Sequence, residues 1–442
     1  MSQFEPFYDV NLSYDDNYAK GPFGAFAEAL ADSSADSSAG PSAIGGSASA
    51  RPSASAIDRS VADSSATSPS AAGQPSDAAA NLSAANRTTG SVDSAAVTNP
   101  SAADFLGHRV DLPFGIPAGP LLNERFTTAA FRAGFDLATY KTVRSRAWGC
   151  NAFPNVLAVH PRAADGSLTP GSAELDEGVL ADTRYEQPIS ISNSFGVPSR
   201  DPDEWQPDMR RAIEAAGDGQ LLIPSFQGSR TPGMTTDDYI ADHVTTARLV
   251  TETGADLMVM NTSCPNEGHN RLLCHDPELV GRITEAVKSE IGDRALAIKL
   301  AYIPPVEVEG GWGEGRRIVD DSALEFMVRQ TAARGTVQAF SAINTISARL
   351  VDKDGNQALP GAGRDRSGVC GRAIRGAGLD MVARLAAIRE KLGLDYTIIG
   401  LGGVVEPKDY LAYRAAGADA VMSATGAMWD ATLARRIKAA LR

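Results

Sequence analysis

The sequence predicts an α/β protein: a (β/α)8 TIM barrel with insertions, preceded by an aromatic arm and a low-complexity segment. Three observations predict it. From residue 104 to 442, short apolar runs alternate with amphipathic stretches of helical spacing, the order of a parallel sheet with helices outside. About 340 residues of this pattern is the length of such a barrel with insertions. No GxGxxG follows the first strand-like run, which removes the main signature of the competing doubly wound sheet.

In chain order, residues 1–30 carry Phe4, Phe7, Tyr8, Tyr14, Tyr18, Phe23 and Phe26. An arm this rich in aromatic side chains is expected to pack on the main body. Residues 31–103 are dominated by Ser, Ala, Gly, Asp and Pro. Too little apolar surface is available there to offset the entropy of ordering it, so a disordered insertion is expected. Residues 104–442 then form the barrel. Its strand-like runs are FGIPAG (114–119), LATYKT (137–142), LLIPSF (221–226), LMVMN (257–261), ALAIKL (295–300), FSAIN (340–344), TIIGLGG (397–403) and AVMSATG (420–426). A ninth run, ISISN (189–193), is one too many and is placed in an insertion after the second strand. Helices are expected over 237–253, 277–291, 322–333, 379–392 and 408–416.

The composition excludes several classes of function. Lys+Arg is 41 and Asp+Glu is 54, a formal charge of −13, which argues against a nucleic-acid partner. No run of about 18 apolar residues exists, so no membrane span is expected. The first residues lack the basic start and apolar core of a secretory signal. Four scattered cysteines do not make a disulfide scaffold, and a cytoplasmic location is expected.

Most strand-like runs end in a polar residue or glycine. These ends include Gly119, Lys141, Thr142, Asn193, Gln227, Asn261, Lys299, Asn344 and Thr345. In a parallel barrel the ends converge on the face that carries active sites. Any one of them is ordinary. Together, two lysines and three asparagines imply a polar, planar ligand that supplies their partners. Gly402 and Gly403, then Ala424 and Thr425, end the last two runs just before helices, where barrels hold a phosphate. Gly371 ends a further segment that adds a third arm to that site.

Cys264 lies just beyond a strand end in N-T-S-C-P-N, with Pro265 fixing the turn. It is a base or nucleophile in prospect, where the bland alternative is an inert buried thiol. His269 and His275 follow closely, but nothing pairs them with Cys264 as in a Cys–His hydrolase, which suits a positioned general base. Cys264, His269, Cys274 and His275 do not have the spacing of a standard zinc site, and no metal is expected. Cys150 and Cys370 show no useful pairing.

The segments P-A-G (117–119), Y-K-T-V (140–143), N-S-F-G-V-P (193–198), N-T-S-C-P-N (261–266), A-I-K-L (297–300), I-N-T (343–345), I-I-G-L-G-G (398–403) and A-T-G (424–426) come in one order. In that order they resemble the dihydroorotate dehydrogenase family, over nearly all of 105–442. The resemblance implies an FMN enzyme that oxidises dihydroorotate to orotate in pyrimidine biosynthesis. It implies that Cys264 removes the C5 proton while hydride passes from C6 to flavin N5, and that Lys141 contacts both flavin and substrate. Asn193, Asn261, Asn266, Asn344 and Thr345 would grip the pyrimidine substrate. Ala118, Gly119 and Thr142 would line the flavin ring, and Lys299 would sit at its N1–C2 edge. Asn261 would touch both ligands. Gly371, Gly402, Gly403, Ala424 and Thr425 would hold the phosphate.

A Cys at the base position resembles the soluble class of the family. Ala424 departs from the family's usual Gly, and the run from His269 to Val280 is closer to dihydropyrimidine dehydrogenases. A flavoenzyme of that second kind stays open, as does a non-catalytic flavin- or pyrimidine-binding barrel. The electron acceptor stays open among fumarate, NAD through an iron–sulfur partner, and quinone. A homodimer is common among such relatives. The insertions at 163–182 and 310–317 have no clear counterpart, and the second, with four glycines around Trp312, reads as a mobile lid.

Overall fold

The computed structural model describes residues 6–36, 103–187, 189–263, 272–308 and 318–442. Eight short strands run parallel and close into a ring. They are Phe114–Ile116, Leu137–Thr139, an interrupted third strand (Leu221–Ile223 and Ser225–Phe226), Leu257–Asn261, Ala295–Leu300, Ala339–Ala342, Thr397–Leu401 and Ala420–Met422. The third strand is split at Pro224, which has no N–H for the ladder. Its first half pairs with the second strand and its second half with the fourth, so the same strand closes both ends of the ring. The eighth strand pairs with the first.

Alternation along each strand sorts the side chains into two layers. Leu137, Ile223, Leu257, Val259, Ala297 and Ala339 belong to one apolar cluster that fills the ring, joined from below by Phe105 and Val110. Those last two come from the hairpin Ala103–Phe105 and His108–Val110, which plugs the N-terminal end. Met258, Met260, Ile298, Phe340, Ile398 and Val421 alternate with them and join the outer cluster, under the helices.

A helix follows each strand: Glu124–Arg132, Pro202–Glu214, Thr236–Thr251, Pro277–Ile291, Ser322–Gln330, Arg375–Leu392, Pro407–Ala415 and, after the eighth strand, Thr425–Trp429 with Leu433–Ala440. Their starts are written in the sequence. Thr235 and Asp238 form a reciprocal capping box, and Asp276 caps a helix whose first residue is Pro277. None of the described helices is long and apolar enough to cross a membrane.

The run at 189–193 lies off the ring, in the insertion after the second strand. There Ser190–Asn193 joins Ala158–His160, Val179–Asp182, Ile346–Val351 and Arg366–Gly371 in a second, five-stranded closed sheet. Two insertions build it, one after the second strand and one after the sixth. Its formation explains why Gly371 ends a strand and not a simple glycine turn.

The N-terminal arm packs on the barrel. Phe7 stacks on Phe26 with ring centroids 4.2 Å apart, and both rings meet Phe126 or Phe135 edge-on at 6.3 Å. Asn17 is fully buried, and its amide bonds the Asp9, Leu12 and Ser13 carbonyls and accepts from the Asp9 N–H. The Phe7 N–H donates to Met428 O, which ties the arm to the end of the barrel chain. Helix Gly24–Asp36 runs past residue 30, so the expected boundary of the low-complexity segment is moved by the continuing helix. The rest of that segment, from 37 to 102, lies outside the described residues, and so does the proposed lid at 310–317.

Phe26→Ala removes a ring held between Phe7 and Phe135. The variant is expected to lose about 3 kcal/mol or more of unfolding free energy. Guanidinium denaturation followed by circular dichroism checks it, and an unchanged midpoint would show that the arm is not part of the folded body.

Candidate active site

The alternation that fills the ring with apolar residues also sets its upper layer. In the fourth strand Leu257 and Val259 point inward, and two residues on so does Asn261. In the fifth, Ala297 is followed by Lys299. In the second and third, Leu137 and Ile223 lead on to Lys141 and Gln227. All four polar residues are buried. They meet at the C-terminal mouth, where a cavity of about 920 Å³ opens, counting its outer end.

The cavity brings together most of the residues that the sequence singled out. Ala118, Gly119, Lys141 and Thr142 line it from the first two strands. Asn193 lines it from the five-stranded sheet, and Asn261, Lys299, Asn344 and Thr345 from the fourth to sixth strand ends. Ala424 and Thr425 complete the ring. Next to it, a smaller cavity of about 290 Å³ is lined by Gly371, Gly402, Gly403, Ala424, Thr425 and Asn344. Gly371 has φ +88° and Gly403 φ +67°, backbone that L side chains rarely adopt. A Cβ on Gly371 would fall 2.4 Å from Ile189 O, so backbone alone can form this wall. Cys264 and Asn266 lie outside the described residues.

Hydrogen bonds tie the mouth residues into a chain. Asn344 Nδ2 donates to Ser263 Oγ at 2.7 Å, and Ser263 Oγ donates to Asn261 Oδ1 at 3.1 Å. The Gln227 amide sits between Asn261, at 2.6 Å, and the Arg144 guanidinium, at 2.7 Å. Arg144 in turn donates to Val197 O, Gly228 O and Ser229 Oγ, and its guanidinium lies over the Trp148 ring. The asparagines are therefore held from behind by a buried cation. Gln227 and Ser263 were visible in the sequence only as strand-end polar residues. Their signal was the period of two that continues each inward row.

Lys299 is the most exceptional charge of the site. Its ammonium has a long 3.4 Å bond to Ala118 O, and burial lowers its pKa from 10.5 to about 8. The Cys370 thiol opposes that shift. Cys370, which the sequence left without a role, lines both cavities and accepts from Thr425 Oγ1 at 3.4 Å. Burial pushes its thiol up to about 11. Sequence spacing could not find it, because its neighbours come from other strands. Tyr8, Tyr14, Ser192, Phe195 and Met428 also line the large cavity and carried no sequence signal of that role. Cys274 is buried in the 3-10 turn Leu273–His275, and no cluster of three metal-ligating side chains occurs among the described residues.

Comparison with known proteins adds an independent line. The family model described as dihydroorotate dehydrogenase matches residues 121–442. The chain is 35% identical over 339 residues to the dihydroorotate dehydrogenase of Dictyostelium discoideum, covering 75% of this chain and 86% of that protein. It is 26% identical over 268 residues to the catalytic subunit of dihydroorotate dehydrogenase B (NAD(+)) of Pyrococcus horikoshii, covering 60% and 75%. Among solved structures, the crystal structure of a DHODH from Eimeria tenella in complex with ferulenol matches with a TM-score of 0.56 at 16% identity, over 78% of this chain and 85% of that one. That last likeness concerns the fold.

Two outcomes are expected from this geometry. Gln227→Ala leaves Arg144 and Asn261 short of a buried partner and should lower stability by about 1–3 kcal/mol, measured by urea denaturation. For Lys299 the folded pKa lies below the unfolded one. Between about pH 8 and 10.5 the unfolded chain then binds the extra proton, so this residue makes stability rise with pH across that window. Relative to wild type, ligand-free Lys299→Met should lack that rise in a pH series of unfolding midpoints. Parallel curves would overturn the assignment of a depressed pKa.

Proposed function

The chain belongs to the dihydroorotate dehydrogenase family and is an oxidoreductase acting on a CH–CH pair, and from that premise we propose that it oxidises dihydroorotate to orotate with FMN as its prosthetic group. One observation carries the reading. Lys141, Asn261, Lys299 and Asn344 converge on a single cavity at the barrel's C-terminal mouth, and a smaller cavity of glycine backbone adjoins it.

The residues present fit FMN. A buried lysine with one long carbonyl contact calls for a negative partner, and the N1–C2 edge of a reduced flavin is one. The wall of Gly371, Gly402 and Gly403 offers main chain without side chains, as a phosphate requires. Ala118, Gly119 and Thr142 present a small-residue floor for a flat ring, and Ala424 and Thr425 lie between the two cavities. When bound, FMN supplies the acceptor for the hydride that leaves C6 of the substrate.

The protein's own share is binding, orientation and proton transfer. Asn193, Asn261, Asn266 and Asn344, with Thr345, hold the amide groups and carboxylate of the pyrimidine ring. Lys141 neutralises the carboxylate side. Cys264 takes the C5 proton, as a thiolate is the basic form at such a position. Ser263, the residue before it, is bonded to both Asn261 and Asn344. The reaction belongs to the pyrimidine-forming route. Cytoplasmic location is part of the same reading.

Anaerobic mixing of the FMN-loaded protein with dihydroorotate tests it, with loss of the yellow flavin absorbance as readout. Dihydrouracil is the discriminating control. Dihydroorotate is expected to bleach the flavin and dihydrouracil to leave it yellow. Cys264→Ala should slow bleaching by about 100-fold or more, the usual contribution of a general base. Cys264→Ser should also be slow, since a hydroxyl is the poorer base. A Cys264→Ala rate equal to wild type would remove the assigned base.

A further inference from the structure

The arm reaches the site. Tyr8 and Tyr14 line the large cavity, although the described barrel begins only at residue 103. They are 3% and 5% exposed. Neither hydroxyl bonds a described residue, and neither is sealed in packed interior, so each opens onto the cavity they line. Hydroxyls that open on a cavity and bond no described residue can donate to a molecule that occupies it.

Their position says what that molecule is. Both rings pack edge-on against Phe195, at 5.7 Å from Tyr8 and 6.4 Å from Tyr14, and Phe195 follows Asn193 by two residues. The tyrosines thus stand on the Asn193 side of the large cavity. They do not line the glycine-walled cavity. Burial raises both hydroxyls well above the ordinary phenol range, so they stay protonated and can donate. In a cavity that Lys141 and Lys299 also line, two neutral donors suit an anionic oxygen group.

We propose that Tyr8 and Tyr14 are specificity-determining residues that donate hydrogen bonds to the carboxylate of the substrate beside Lys141. This rests on the reading of the site as one for a carboxylated pyrimidine. The arm is therefore a working part of the site. Its geometry is held by the Phe7–Phe26 stack, the buried Asn17 and the Arg200 pair with Asp15, which also places the Arg200 guanidinium 4.5 Å from the Tyr18 ring centroid.

Substitution by phenylalanine removes the hydroxyls and keeps the rings against Phe195. Orotate binding to the full-length, FMN-loaded Tyr8→Phe/Tyr14→Phe variant is measured by flavin-absorbance titration. The expected result is an orotate Kd raised about tenfold or more, the scale of one charge-assisted hydrogen bond, with FMN affinity and melting midpoint unchanged. An orotate Kd within twofold of wild type overturns the proposal. So does a parallel loss of FMN affinity, which would mark the tyrosines as mere packing. A wild-type protein that binds FMN but not orotate sinks the parent reading, and the proposal with it. Single variants divide the effect between the two tyrosines.

Discussion

In a closed parallel ring of strands, every second side chain has no place to go but the lumen. That constraint governs this protein. The lumen must be filled at its lower levels, which calls for Leu137, Ile223, Leu257, Val259 and Ala297, and the same rows must continue upward until they meet water or a ligand. Where they emerge, Asn261 pairs with Lys299 in register, and Lys141 and Gln227 end neighbouring rows. The active face is thus the upper part of the core, and its side chains inherit the rigidity of the strands that carry them.

That rigidity has an electrostatic consequence. Lys299 is held in a place where water cannot solvate it well, and its ammonium has been pushed toward neutrality. A residue so placed opposes the stability of the fold wherever its ammonium stays protonated. Arg144 shows the opposite solution. Its guanidinium is wrapped by carbonyls, a hydroxyl and the Gln227 amide, and its work is to brace the asparagines from behind. One buried cation is wrapped by partners, and the other has one long bond to Ala118 O.

Above the ring, the five-stranded sheet and the arm supply what the barrel lacks. The sheet carries Asn193 to the mouth, and Arg364 pins its surroundings by donating to Ser194 Oγ and to the Ala152 and Pro154 carbonyls. The arm carries Tyr8 and Tyr14. A barrel end is a shallow bowl by itself. Walls from outside the strand–helix repeat turn it into a cavity that can surround a small molecule.

The strand-like runs, five of the barrel helices, the parallel order and the polar residues at the strand ends were legible in the amino-acid sequence. All of these are local properties: a period of two within a strand, a period near 3.6 within a helix, and caps such as Thr235 and Asp276. The inward continuation to Gln227 and Ser263 was legible for the same reason. Which distant residues became neighbours was settled by folding. Asn344 meets Ser263 across 81 residues, and Thr425 meets Cys370 across 55. Tyr8 enters the cavity from beyond the Ser/Ala-rich segment. Ring closure and the folding-back of the arm bring such groups together, and the free energy that does so comes from burying surfaces far apart in the chain, which no local pattern records.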